Sequence, residues 1–173
     1  MNHDAYDDGY IAGILDTART IAVVGASAND VRPSYFVMKY LIGKGYEVYP
    51  VNPGHAGKEI LGRMTYASLA EIPVAIDMVD VFRASGAVPA IVEDVLKLEP
   101  VPKVIWMQLT VRHDEAAVRA EAAGIKVVMN RCPKIEYARL AGEIGWTGVN
   151  SGVISSKRPV MRQGFQSFGI RAK

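Results

Sequence analysis

Small, polar or sulfur-containing residues follow five apolar segments of the chain. The first group, Gly25-Ala26-Ser27-Ala28-Asn29, comes directly after the run 20–24 and joins a glycine suited to a tight turn with small side chains. Backbone N–H groups in such a turn, and at the start of a following helix, can bind a phosphate. The other four groups are Asn52-Pro53-Gly54-His55, Val81-Phe82-Arg83, Trp106-Met107-Gln108 and Asn130-Arg131-Cys132-Pro133.

The elements that must position these groups alternate between strand and helix. Apolar runs predict strands over 20–25, 47–51, 75–82, 104–107 and 125–129. Helical spacing with glycine and proline boundaries predicts helices over 8–17, 33–42, 86–98, 114–123 and 133–141, with Ser85 as a cap. The stretch 57–70 predicts a short strand and a short helix. We therefore predict an α/β fold, a single Rossmann-type doubly wound parallel sheet of about five strands with flanking helices, with the five groups together at the carboxyl ends of the strands.

The composition indicates one globular domain and argues against several partners. Of the 173 residues, 50% are hydrophobic and 22% are charged, which is typical of a folded domain. A formal net charge of +2 is too small to indicate nucleic-acid binding, and no apolar run approaches the roughly 20 residues of a membrane span. The single cysteine, Cys132, and an acidic start that does not resemble a secretory signal favour the cytoplasm.

The sequence predicts a domain over 1–150, which includes the N-terminal helix, and a basic tail over 151–173. The tail contains no acidic residue and has no clear period; its basic residues are Lys157, Arg158, Arg162, Arg171 and Lys173. A solvated tail is one interpretation of this pattern, and a contact with phosphate or with a partner subunit is the other.

The residues after the first two strands argue against a dinucleotide site. A dinucleotide fingerprint needs glycine at 25, 27 and 30, but the sequence has Gly25, Ser27 and Asp30. The second strand of such a site leads into an acid that accepts from the ribose hydroxyl groups, whereas Asn52 stands here. A P-loop motif is absent as well. A ligand with a ribose phosphate stays compatible, because an amide, an imidazole or a base suits a phosphate better than an acid does.

Five runs of the sequence resemble one family. They are GASANDVRPSYFVMKYL, VYPVNPGHAGKEILG, VDVFR, VIWMQ and NRCPKIE, within residues 17–141. Together they resemble the small stand-alone CoA-binding proteins of bacteria and archaea, which are similar to the CoA-binding Rossmann domain of the succinyl-CoA synthetase α subunit. The resemblance implies that the chain binds coenzyme A or an acyl-CoA at the carboxyl ends of the strands and has no catalysis of its own.

The resemblance assigns roles to the first two groups. The turn over 25–29 would wrap the CoA phosphates, while Arg32, Pro33 and Ser34 match the family's RPS, with Arg32 in a charge-assisted contact. A plain turn and helix start is the alternative. The segment 52–55 would lie near the adenosine end, where its histidine, once protonated, would strengthen a phosphate contact below neutral pH. A surface histidine without a role is the alternative there.

The third and fourth groups would contact the middle of the ligand. The segment 81–83 would pass along adenine and ribose, where Arg83 could stack on adenine or pair with phosphate. The alternative is that Arg83 is simply solvated. The segment 106–108 would face the pantetheine arm, whose amides match the hydrogen-bonding groups of Gln108. The alternative is that Trp106 is a core residue, in which case its indole N–H needs a partner.

The fifth group, over 130–133, would lie toward the thiol of CoA. Arg131 and a helix that starts at Pro133 are two influences that lower the pKa of a neighbouring thiol. The hypothesis is that Cys132 forms a mixed disulfide with CoA under oxidation. A buried, unreactive cysteine is the alternative.

Two further functions stay open beside a non-catalytic CoA-binding protein. One is an enzyme that processes acyl-CoA with Cys132 as the acyl acceptor, and the other is an NAD- or NADP-dependent oxidoreductase. The sequence suggests no metal-ligand cluster and no catalytic triad, and Asp77 and Asp80 have opposite parity, which argues against a carboxylate pair. We therefore expect no catalytic residue and no metal. The resemblance leaves open both a homo-oligomer and a partner enzyme.

Overall fold

The computed structural model describes residues 1–143, so the predicted tail over 151–173 lies outside the described residues. The chain divides into two compact units. One contains residues 18–132, and the other begins with residues 1–17 and resumes at Pro133. The larger unit contains every residue of the five predicted ligand groups except Pro133.

A parallel sheet of five strands forms the centre of the larger unit. The strands of the described chain are β1 (Thr20–Val24), β2 (Glu47–Val51), β3 (Glu59–Ile60), β4 (Arg63–Met64), β5 (Met78–Val81), β6 (Val104–Met107) and β7 (Lys126–Val128). The α-helices are α1 (Asp8–Thr17), α2 (Pro33–Gly43), α3 (Val88–Leu96), α4 (Asp114–Ala122) and α5 (Pro133–Leu140). The parallel sheet has the order β2-β1-β5-β6-β7, and β3 pairs with β4 as an antiparallel hairpin. The predicted α/β fold of Rossmann type is confirmed.

Apolar side chains cover both faces of the sheet, as a parallel sheet requires. Val79, Ile105 and Val127 are register partners on three adjacent strands and share one core with Val92 of α3 and Ala117 of α4. The crossover through α2 runs in the opposite direction from those through α3 and α4. Right-handed connections therefore place α2 on the other face.

The switch in strand order lies between β1 and β5. From β1 the chain crosses to β2 on one side, and from β5 it continues to β6 and β7 on the other. The turns after β1 and β5 therefore flank the crevice where ligands bind in sheets of this topology. Both turns are among the groups that the sequence predicts to bind the ligand.

Two local predictions differ from the structure. A short 3-10 helix over Ser85–Ala87 precedes α3, and Ser85 Oγ accepts a hydrogen bond from the backbone N–H of Arg112 at 3.1 Å. The prediction of Ser85 as a helix cap is wrong, because a tertiary contact uses its hydroxyl group. In the stretch 57–70, the hairpin β3–β4 and a 3-10 helix that begins at Leu69 replace the predicted single strand and helix.

The smaller unit contains α1 and α5. The buried residues of α1 include Ile11 and Leu15. Arg139 of α5 donates to Asp8 Oδ1 at 2.7 Å and to Glu136 Oε2 at 2.8 Å, which ties the start of α1 to α5. Among the helices of residues 1–143, none is long and apolar enough to cross a membrane.

Candidate functional site

Gly25 forms the tight turn that brings the first and third groups together. Its φ angle is 91°, in the left-handed region that favours glycine. A Cβ atom at this position would lie 3.0 Å from Arg83 Cδ and 3.1 Å from the carbonyl oxygen of Phe82. The glycine is therefore needed twice, for its backbone conformation and for the close approach of the turn after β5.

The turn after β1 presents backbone donors toward solvent. Asn29 N–H donates to Ser27 Oγ at 3.2 Å, and Asn29 Oδ1 accepts from Val31 N–H at 3.0 Å, which shapes the turn locally. Within residues 1–143, the backbone N–H groups of Ser27 and Ala28 have no hydrogen-bond acceptor. Such donors, next to a helix start, attract an anion.

The start of α2 adds further positive character to this turn. Arg32 is the N-cap residue, its side chain is exposed, and it makes no capping hydrogen bond to the helix. Pro33 occupies the first helical position, where the missing N–H is tolerated, and Ser34 is buried behind it. Because no side chain caps α2, the N–H of Ser34 has no acceptor among residues 1–143, whereas the N–H of Tyr35 donates to the carbonyl oxygen of Arg32 at 3.0 Å.

Asn52 connects the second group to the first. Its Nδ2 donates to the carbonyl oxygen of Ala26 at 2.7 Å, and its Oδ1 accepts from Gly54 N–H at 2.9 Å, at the start of the 3-10 helix Pro53–His55. The residue thereby holds the turns after β1 and β2 side by side.

His55 is half-buried and has an unfilled ring nitrogen. Its Nδ1 is buried and lacks a hydrogen-bond partner within the described residues, as does Thr65 Oγ1. A buried polar atom without a partner costs free energy, so this nitrogen is suited to a partner from outside the chain. Part of the ring is therefore enclosed by the protein, and both the phosphate contact and a histidine without a role stay open at this position.

The third group combines a buried strand end with an exposed cation. Val81 is buried, and Phe82 N–H donates to the carbonyl oxygen of Val24 at 2.8 Å. Arg83 is exposed beside Gly25 and makes no ion pair with any of residues 1–143. The cation is therefore available at the switch in strand order.

The fourth group is mostly core. The side chains of Trp106 and Met107 are 0% exposed, and Trp106 Nε1 donates to the carbonyl oxygen of Arg131 at 2.8 Å. This is the core alternative for Trp106, with its indole N–H satisfied. Any ligand contact by Trp106 and Met107 would come from their backbone. Gln108 is the next residue along the chain and follows the end of β6.

Gln108 contacts a residue that the sequence-based site omits. Its Nε2 donates to Asp80 Oδ1 at 2.9 Å and to Asp80 Oδ2 at 3.1 Å. Burial raises the pKa of Asp80 to about 8, against the opposing effect of this hydrogen bond. The signal that could have revealed Asp80 is an acid within the apolar strand Met-Val-Asp-Val.

The fifth group is held against the turn after β6. Asn130 Oδ1 accepts from Thr110 N–H at 2.8 Å, and both residues have left-handed backbone angles, with φ of 52° and 70°. Non-glycine residues in this conformation are often found at functional sites. Arg131 N–H donates to the carbonyl oxygen of Met107 at 3.3 Å, and Cys132 is 6% exposed.

Residues 19–138 match the family model described as a CoA binding domain. The chain belongs to this family of CoA-binding domains. The family that the sequence resembles is thus confirmed, and the match covers all five ligand groups.

Several proteins are similar to this CoA-binding domain. YneT of Bacillus subtilis is 38% identical over 128 residues, which are 74% of this chain and 92% of YneT. The α subunit of acetate–CoA ligase (ADP-forming) I of Pyrococcus furiosus is 40% identical over 84 residues, but these are 46% of this chain and only 18% of that subunit. A protein from Pyrococcus horikoshii OT3 has a solved structure with a TM-score of 0.74 and 39% identity, covering 81% of this chain and 96% of its own.

The described part of this CoA-binding domain shows no group of three histidine, cysteine, aspartate or glutamate residues suited to a metal ion. Asp77 and Asp80 have separate partners, since Asp77 accepts from Lys103 Nζ at 2.8 Å and Asp80 accepts from Gln108. The carboxyl edge is instead a set of backbone donors, an exposed arginine on each of two turns and an amide.

Proposed function

We propose that this protein binds coenzyme A or an acyl-CoA at the carboxyl edge of its sheet and does not itself catalyse a reaction. The observation that carries the proposal is the turn after β1, where the backbone donors of Ser27 and Ala28 have no acceptor in the described part of a chain that belongs to the CoA-binding domain family. We also propose that the domain extends over 1–150 and that 151–173 is a separate basic tail.

The phosphates of CoA are the part of the ligand that this edge suits best. Backbone donors of the first turn and of the start of α2 supply partial positive charge, and the exposed side chains of Arg32 and Arg83 supply full charges. Gly25 allows the chain to turn without a side chain that would separate the two turns. This arrangement of donors and charges is suited to a diphosphate.

The adenosine end is assigned to the segments 52–55 and 81–83. His55 Nδ1, which is buried and unpartnered in the described chain, is suited to a hydrogen bond with the ribose phosphate. The pantetheine arm is assigned to Gln108 and to the turn at Asn130.

A mixed disulfide at Cys132 is the finer part of the proposal. The Cys132 thiolate attacks one sulfur of CoA disulfide, the sulfur–sulfur bond of that reagent breaks, and one CoA leaves as a thiolate. Because Cys132 is 6% exposed, the reaction requires local opening and should be slow. Intact mass after incubation with CoA disulfide should show one CoA adduct on the wild type and none on Cys132→Ser; an unmodified wild type contradicts this part.

Thermal unfolding of the full chain with CoA, acetyl-CoA, NAD and NADP tests the binding proposal. A ligand at 100 times its dissociation constant stabilises the protein by about 2.7 kcal/mol, which raises the midpoint measurably. We expect CoA or acetyl-CoA to raise the midpoint and NAD to have no effect. A shift with NAD and none with either CoA ligand contradicts the proposal.

Two variants that each remove one positive charge locate the site. Arg83→Gln removes a cation at the carboxyl edge and should weaken CoA binding roughly tenfold, the effect of one charge-assisted hydrogen bond. Lys97→Gln is the matched control, since Lys97 follows α3 at the opposite edge and pairs with Asp94 at 3.0 Å. If both variants bind CoA with equal affinity, the phosphates of CoA do not lie beside Arg83.

A further inference from the structure

Asp80 is an ionisable residue inside the parallel sheet. Its register partners are Val23 on β1 and Trp106 on β6, and its side chain is 0% exposed. Both of its carboxyl oxygens accept from a single donor, Gln108 Nε2. A buried carboxyl group with one neutral partner is costly as an anion.

Among the described residues, the strands beside Asp80 and the buried side of α2 supply no compensating charge. The neighbouring strands read Thr-Ile-Ala-Val-Val and Val-Ile-Trp-Met, and the buried residues of α2 are uncharged as well. Along the chain, the charged residues beside it are Asp77, before β5, and Arg83, after β5. Burial therefore raises the pKa of Asp80 to about 8, although the hydrogen bond from Gln108 acts to lower it. Both protonation states are accessible near neutral pH.

Gln108 turns its other end away from Asp80. The buried side-chain polar atoms without a partner in the described residues are His55 Nδ1 and Thr65 Oγ1. Gln108 is 6% exposed, and its Oε1 also has no partner within residues 1–143 but is not among these fully buried atoms, so it keeps a small contact with solvent at the carboxyl edge. The outward end of the amide is therefore accessible to a ligand.

The protonation state of Asp80 decides which hydrogen bonds it can make with this amide. A carboxylate only accepts, so it holds the N–H end of Gln108 and leaves the carbonyl oxygen facing outwards. A protonated carboxyl group can donate to that oxygen, and a half-turn of the amide then leaves an N–H facing outwards. The two ends of an amide have nearly the same shape, so the half-turn displaces no neighbour.

We propose that Asp80 is a positioning residue: it sets which end of the Gln108 amide meets the bound ligand, and gain or loss of its proton reverses that polarity. The ligand group concerned is a secondary amide, such as those of the pantetheine arm, which offers either a donor or an acceptor. This inference rests on the proposed function. It makes CoA affinity depend on pH through a residue that does not touch CoA.

Calorimetric titration with dephospho-CoA tests the inference. This probe lacks the 3′-phosphate of CoA, whose protonation would itself change with pH. Wild type, Asp80→Asn and Asp77→Asn are compared at about pH 6 and about pH 9, on either side of the Asp80 titration. Asp80→Asn provides an uncharged partner that both donates and accepts, so it should match wild type at low pH. At high pH its affinity should differ from wild type by about fivefold, the factor of one hydrogen bond. Asp77→Asn should follow wild type at both pH values.

The outcomes separate the inference from the proposed function. A ratio of affinities between wild type and Asp80→Asn that is equal at both pH values overturns the inference, while binding itself stands. Absence of binding by wild type to both CoA and dephospho-CoA overturns both.

A second measurement needs no ligand, and its deciding outcome comes from wild type alone. The side-chain NH₂ signals of Gln108, identified by their loss in Gln108→Leu, should shift with pH in wild type and in Asp77→Asn. In Asp80→Asn they should not. Signals that stay constant with pH in wild type overturn the inference.

Discussion

The side-chain amide of Asn52 donates to the backbone carbonyl of Ala26 at 2.7 Å and so joins the turns after β2 and β1. At this point a dinucleotide site has an acid that accepts from ribose hydroxyl groups. An acid here would place a carboxylate oxygen against the Ala26 carbonyl, two acceptors with no proton between them. The same residue therefore shapes the turn after β1 and disfavours NAD.

Asn52→Asp should destabilise the fold by about 1–3 kcal/mol, because the Ala26 carbonyl loses its donor and meets a negative charge. Urea unfolding measures the change. Asn29→Asp is the matched control. Asn29 uses only its side-chain oxygen, which accepts from Val31 N–H, so the stability of this variant should be nearly that of wild type. Equal losses in both variants would show that charge alone is responsible.

Gly25→Ala should destabilise the protein more than Gly45→Ala. Both glycines have a left-handed φ, 91° and 89°, so each substitution carries about 1 kcal/mol of backbone strain. At Gly45 an added Cβ meets nothing within 4 Å, whereas at Gly25 it would lie 3.1 Å from the Phe82 carbonyl oxygen. Urea unfolding of the two variants isolates the steric part, and equal losses would contradict the close approach.

Asp77 should support the fold down to low pH. Partial burial acts to raise its pKa, but hydrogen bonds from Lys103 Nζ and the backbone N–H groups of Arg19 and Thr20 outweigh it and lower the pKa from 3.8 to about 2. Its contribution is therefore present above about pH 4 and is lost as the pH falls toward 2. Asp77→Asn should lose on the order of 1 kcal/mol near neutral pH and much less at about pH 2. A loss of equal size at both pH values contradicts this origin.

Asp80 should have the opposite effect on stability. Its pKa is raised from 3.8 to about 8, so the folded protein keeps a proton that the unfolded chain releases. The contribution is complete below about pH 4 and is lost as the pH rises through 8, with a slope of at most about 1.4 kcal/mol per pH unit. The difference in unfolding free energy between wild type and Asp80→Asn should therefore fall with rising pH. A difference that is constant from about pH 5 to about pH 9 contradicts the raised pKa.

The sequence predicts the main elements well, because local signals specify them. The apolar run of β1 ends at a glycine, and Pro33 begins α2 where the missing N–H does no harm. The prediction of Ser85 as a helix cap is wrong because its hydroxyl oxygen accepts a hydrogen bond from the backbone N–H of Arg112, which is distant in sequence. Such a contact has no local signature.

The site is only partly predictable for the same reason. The five groups meet at one edge as expected, since strand ends in a parallel sheet share that edge. The role of Asn52 as a bridge, the complete burial of Trp106 and the pair formed by Asp80 and Gln108 depend on register between strands. Periodicity gives the face of a residue, but not its partner on the next strand.

Backbone amide chemical shifts recorded during a titration with CoA test the central proposal most directly. Saturable shifts should be largest at Gly25 to Asn29, Arg83 and Gln108, on the carboxyl edge, and small at Thr20 and Lys103 on the amino edge. The same titration with NAD should leave the spectrum unchanged. No saturable shift with CoA, or shifts confined to the amino edge, would contradict binding at the proposed site.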